Sequence, residues 1–114
     1  VVCENDWAEA IRRSARRELL NLLLAEAAYL GQRGHLVQAE GLYRRAMGID
    51  ALDERIHRGL IWCRARANDQ AGAIHEFQEC QLILERELDA MASARTVTLY
   101  KDVLAGRVPA SPPH

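Results

Sequence analysis

Four side chains near the middle of the chain, Arg55, Arg58, Trp62 and Arg66, recur three or four residues apart, which sets them on one face of a helix. Guanidinium groups bind carboxylates and phosphates through paired hydrogen bonds, and an indole plane can stack on a base or cover an aliphatic stem. Arg13, Arg17 and Asn21 repeat at four-residue spacing and offer a second, parallel row. Together the seven residues form a candidate groove for an acidic peptide or an anionic, nucleotide-like effector. The same pattern also fits a solvated arginine face on which Trp62 packs against a neighbouring domain or a second copy, and the excess of arginine over lysine fits genome composition as well as it fits selection for binding.

Other chemistries find less support. Catalysis needs a nucleophile beside a base or paired carboxylates in a pocket. Cys63 and Cys80 fall on the apolar faces of their helices, the acidic run of the fourth helix reads as solvated, and no glycine-rich phosphate loop is present, so the chain is read as a non-enzyme without a cofactor. No two of His35, His57, His75 and His114 stand at the i, i+4 spacing of a helical metal site. Cys3, Cys63 and Cys80 make neither a C-x-x-C pair nor a disulfide framework, which fits a reducing, cytoplasmic setting. A net charge of -1 argues against direct DNA contact. Arginines nevertheless crowd the stretch from Arg12 to Arg66, while Asp69 to Asp89 is mostly acidic. The longest apolar run, Leu19 to Leu30, is broken by Asn21 and Glu26 and is too short to span a bilayer. Val1 in place of Met suggests a piece of a longer protein.

The elements that must position these residues are helical throughout. Asp6 with Glu9 reads as a capping box opening a long first helix, whose stripe Ile11, Ala15, Leu19 and Leu22 widens through Leu20, Leu23, Leu24, Ala27 and Leu30. Gly31 and Gly34 end it. A second helix is predicted from about His35 to Ile49. A third starts between Asp50 and Asp53, as cap and first-turn carboxylate, with Ile56, Leu60, Cys63 and Ala67 as its core stripe. After Asn68 and Asp69 a fourth runs from about Gln70 to Leu88, with Ala73, Phe77, Cys80, Leu84 and Leu88 inward. Ser93 caps a fifth carrying Val97, Tyr100, Val103 and Leu104, closed by Gly106. Pro109, Pro112 and Pro113 mark 106–114 as a tail or linker behind a helical domain over 1–105.

A repeat underlies this order. Ala39, Tyr43 and Ala46 recur 34 residues later as Ala73, Phe77 and Cys80, and the turn residue Gly34 recurs as Asn68. Small residues let two helices of a hairpin approach, and the aromatic fills the gap between hairpins. The expected fold is all-α, a tetratricopeptide-like stack of two helical hairpins plus a C-terminal helix. In such stacks the inner surface binds peptides or small molecules.

The order Asp6-Trp7, the run Leu52-Asp53-Glu54-Arg55-Ile56-His57-Arg58, and Ser93, Thr96, Leu99 and Tyr100 resembles the bacterial transcriptional activator domain over Trp7 to Leu104. The family usually has Gly where Asp89 stands and Pro where Ala51, Ala92 and Ala94 stand, so the turn before the fifth helix is expected to be looser. His57, within the signature, is expected to bond a neighbouring hairpin. The resemblance implies a domain beside a winged-helix DNA-binding domain in a transcription regulator, serving partner contact or dimerisation, with DNA reached only through that other domain and no membrane involved. An effector sensor, binding an anion around Trp62, is the alternative. A generic tetratricopeptide-type adaptor is the third.

Overall fold

The computed structural model describes residues 4–114: α1 (Glu4–Gln32), α2 (Leu36–Met47), α3 (Glu54–Arg66), α4 (Gln70–Leu88) and α5 (Ala94–Leu104), with no strand among the described residues. Short turns make α1 and α2 one antiparallel hairpin and α3 and α4 a second; α2 packs on α3, and α5 rests on α3 and α4. This is the tetratricopeptide-like stack with a closing helix.

Three helices end by the same device. Gly34 (φ +86°), Asn68 (φ +60°) and Gly106 (φ +78°) turn left-handed, and the next amide donates back across the turn, His35 to the Leu30 carbonyl, Asp69 to Arg64 and Arg107 to Asp102. Gly34 and Asn68 are thus equivalent in backbone as well as in spacing. Asp89 ends α4 at φ +48°, a conformation that glycine takes without a Cβ penalty. Asp89→Gly should therefore stabilise the chain by about 0.5–1 kcal/mol, read from the denaturant midpoint. The turn that follows is held, because the Ala92 amide donates to Gln81 Oε1 at 2.8 Å.

The repeated small positions Ala39, Ala46, Ala73 and Cys80 are fully buried, as is Tyr43. Phe77, its counterpart, is half-buried and stacks on Tyr100 with ring centroids 4.0 Å apart. The close approach between the hairpins is visible at Gly59, where an added Cβ would fall inside the Tyr43 ring. Gly59→Ala should cost about 2 kcal/mol net of its gain in helix propensity, checked by thermal melting.

An ion cluster also ties the hairpins. Arg44 of α2 pairs with Glu76 of α4, and Arg64 of α3 reaches Glu40 at 2.8 Å. Glu76 is 3% exposed, so this part of the acidic run is buried rather than solvated.

Several sequence expectations shift. Asp6 and Glu9 lie inside α1, where Glu9 pairs with Arg12 at 3.4 Å instead of forming a capping box. Gly31 is also inside α1, where its missing Cβ leaves room for the Trp62 ring. Asp50 accepts from the Leu52 amide within the turn, and Asp53 is the helix cap. Ile11, Ala15, Leu19 and Leu22 are exposed: Ile11 and Ala15 precede the stretch of α1 that is covered, and Leu19 and Leu22 face away from the side that buries Leu20, Leu23, Leu24 and Ala27. Leu88 and Leu104 are exposed too, at the ends of their helices.

Candidate functional site

The middle helix, α3, decides what the candidate groove looks like. Nine of its thirteen residues are buried, Ile56 to Cys63 without a break. It has no open face opposite the Ile56, Leu60 and Cys63 stripe, because α1, α2, α4 and α5 pack on it and residues 108–114 close over the rest. Trp62 is 0% exposed and belongs to the same core as Leu24, Ala27 and Tyr43. The expectation of an exposed indole in a cationic wall is corrected accordingly.

The seven groove residues separate into three places. Arg13, Arg17, Asn21 and Arg55 come together with Arg16 around an open cleft of about 630 Å³ between α1, the α2–α3 turn and the start of α3. Arg55 is tethered there. Its side chain reaches Asp53 Oδ2 at 2.7 Å and donates to Asn21 Oδ1 at 3.3 Å. Burial alone would raise the Asp53 carboxyl, but the bonds from Arg55 and the charge of Arg58 outweigh it and hold the group below the usual carboxylate range. Asp50 also borders the cleft, so its arginines are only partly countered. Arg66 stands apart in the exposed last turn of α3, about 16 Å along the helix from Arg55.

Arg58 and Trp62 form the third group, closed over by the chain itself. Trp62 Nε1 donates to the Pro109 carbonyl at 2.7 Å. Arg58 donates through Nε to the Pro113 carbonyl at 3.0 Å and through Nη1 to Thr96 Oγ1 at 2.9 Å. Arg95 donates to the backbone oxygen of His114 at 3.0 Å, and Tyr43 Oη lies 2.6 Å from His114 Nε2. Residues 108–114 therefore lie against α3. Only Thr96, Arg95 and Tyr43 could have hinted at this in the sequence, and none does so by spacing.

The signature residues knit α3 to α5. Glu54 Oε1 accepts from Thr96 Oγ1 at 2.7 Å and from the Ser93 amide at 2.9 Å. Burial would raise the Glu54 carboxyl, but these bonds, with Arg58 nearby, hold it below its ordinary value, so it is ionised at neutral pH. Burial lowers the affinity of Arg58 for its proton, with Arg95 adding to the effect and Glu54 and Asp53 opposing it; an arginine nonetheless stays charged. His57 Nε2 bonds the Ala51 carbonyl at 2.7 Å, within the turn that enters α3 rather than across to a neighbouring hairpin.

His114 is held neutral, first by burial and then by Arg55 and Arg58, against a smaller opposing effect of Asp53. Its pKa is depressed where the tail is docked, so its contribution to docking is full above about 6.5 and weakens as the pH falls below that value. Hydrogen exchange of residues 107–114 should accelerate in that direction, beyond the intrinsic rate change.

Burial pushes the Cys63 and Cys80 thiols up to about 12, so neither is a nucleophile at neutral pH. No three metal-ligating side chains converge among the described residues, and none of the described helices is long and apolar enough to cross a membrane.

Residues 2–104 match a family model described as bacterial transcriptional activator domain. No curated protein and no solved structure matches the chain.

Proposed function

We propose, for a chain that belongs to the bacterial transcriptional activator domain family, that it is the interaction and dimerisation domain of a transcription regulator and contacts its partner through the first half of α1. One observation carries this reading. Trp7, Ile11, Ala15, Leu19 and Leu22 make an apolar stripe that nothing among the described residues covers, with Trp7 and Leu22 each 68% exposed. An isolated exposed leucine is ordinary, but a continuous helical stripe marks a contact surface.

Charge favours a second copy as the occupant. In an antiparallel pair centred on Ile11, Trp7 faces Ala15 of the other copy, Asp6 faces Arg16 and Glu9 faces Arg13, so over the Trp7–Arg16 part of the stripe large meets small and two acids meet arginines. Sedimentation equilibrium should show a concentration-dependent dimer that Ile11→Asp abolishes and added salt weakens. A monomer at the highest concentration reached would remove self-association. DNA contact is then the task of another domain of the parent protein.

A second reading rests on the arginine cleft. Arg13, Arg16, Arg17 and Arg55 around about 630 Å³ suit an anionic effector or nucleotide. Such a ligand binds the folded state and must raise the melting temperature. A panel of nucleotides and dicarboxylates that leaves the melting curve unmoved would remove the sensor.

A further inference from the structure

The segment that covers α3 is bound as a peptide ligand is bound. Its carbonyls at Pro109 and Pro113 and the backbone oxygen of His114 each accept from a groove side chain, Trp62, Arg58 and Arg95 in turn. Arg58 also reaches the backbone oxygen of His114 at 3.4 Å. Indole and guanidinium groups donate and never accept. The segment answers in kind: Pro109, Pro112 and Pro113 have no N–H, and the one backbone amide bond within 108–114, His114 to the Pro112 carbonyl at 3.1 Å, stays inside the segment. Two side chains add anchors. Val108 wedges between the two core clusters, and the His114 ring stands edge-on to Tyr43 with centroids 5.6 Å apart.

The occupant lies outside the part of the chain that matches the family, which ends at residue 104, whereas Tyr43, Arg58, Trp62 and Arg95 lie inside it. A groove whose Arg58, Trp62 and Arg95 side chains can only donate, within the shared domain and filled by a segment beyond it, is a site with a tethered occupant.

We propose that the groove between Tyr43, Arg58, Trp62 and Arg95 is a peptide-binding site, filled in cis by residues 108–114, whose partner in trans is an extended, proline-containing segment of another protein. Such a segment presents carbonyls without competing amides and loses little entropy on binding, because proline already restricts it. The tether after Gly106 gives the cis segment an effective concentration of the order of millimolar, so a free peptide competes poorly until the cis segment is released. This site is separate from the α1 stripe, and either can fail without the other.

The test uses the whole chain carrying Val108→Asp, which removes the apolar anchor, and a fluorescent peptide of residues 107–114 followed by anisotropy. The released chain should bind the peptide at least about tenfold more tightly than the wild type does, as expected when the competent fraction rises. Adding Trp62→Phe, which removes the donor to Pro109 and keeps a ring, should weaken that binding again. Should Val108→Asp fail to fold by circular dichroism, Pro109→Gly with Pro113→Gly in the whole chain serves the same purpose. A folded released chain that binds no better than wild type overturns the proposal, as does equal binding of a proline-free acidic peptide of the same length. A wild-type dimer abolished by Val108→Asp but not by Ile11→Asp would mean exchange of the segment between copies, and would overturn the assignment to another protein.

Discussion

Trp62→Ala should lower the melting temperature by roughly 15–30 °C, the largest effect expected of any single truncation in the chain. The ring is fully buried beside Gly31 and Ala39, and its Nε1 holds the Pro109 carbonyl. Removing a buried indole costs about 3–5 kcal/mol, a large share of the 5–15 kcal/mol by which a typical domain is stable. Gly31 makes the site unforgiving, because a Cβ there would meet the ring at 2.6 Å and the helix has already given up a side chain to admit it. Had Trp62 lain on an open cationic wall, the same truncation would cost a few tenths of a kcal/mol. Differential scanning calorimetry separates the two outcomes.

Arg58→Ala comes next, at about 3 kcal/mol, and Arg58→Lys should recover little of it. The guanidinium donates in three directions at once, to Thr96, to the Pro113 carbonyl and to the backbone oxygen of His114, from a position only 6% exposed. Its loss leaves those acceptors facing a void and Glu54 without its nearby counter-charge. A lysine ammonium keeps the charge but not the planar fork. The effect belongs to a network, so Arg58→Ala and Thr96→Val should combine non-additively in a double-mutant cycle, with a coupling of about 1 kcal/mol or more. Additive behaviour would mean that the two side chains merely lie close together.

The signature residues owe their pattern to this network rather than to ligand chemistry. Asp53 caps α3, Glu54 holds the start of α5 through Thr96 and Ser93, His57 fastens the entering turn and Arg58 closes the other side. Five consecutive uncharged positions, Gly59 to Cys63, put an unbroken uncharged stretch in the middle of α3, as a segment enclosed by neighbours needs.

That last feature was legible in the amino-acid sequence and is outweighed there by the arginine spacing. Arg55, Arg58, Trp62 and Arg66 do share a helical face, but shared spacing says nothing of what packs against it. The hairpins themselves can be read directly, because Ala39, Tyr43 and Ala46 against Ala73, Phe77 and Cys80 carry the packing, and Gly34 and Asn68 carry the turns. The α3 cap was legible to within a turn: Asp53 takes it and Asp50 stays in the turn before the helix, since either carboxylate can accept an amide two residues on. Of the candidate groove, the cleft half was legible, as Arg13, Arg17, Asn21 and Arg55 do converge. The covered half was not. Three prolines near the end of the chain read as a linker, and no local pattern records that residues 108–114 return to α3, some fifty positions earlier. The α1 stripe misleads in the opposite sense. Ile11 and Leu22 have the period of a buried face, and periodicity shows that a face is to be covered without showing by what.

Trp62 is the reporter on which this account turns, and Trp7→Phe leaves it as the sole indole in the chain. The expected result in that variant is blue-shifted emission that acrylamide barely quenches, moving to the red when Val108→Asp is added and the segment over α3 lifts. Red, freely quenched emission in the Trp7→Phe chain, with its helical circular dichroism intact, would contradict it.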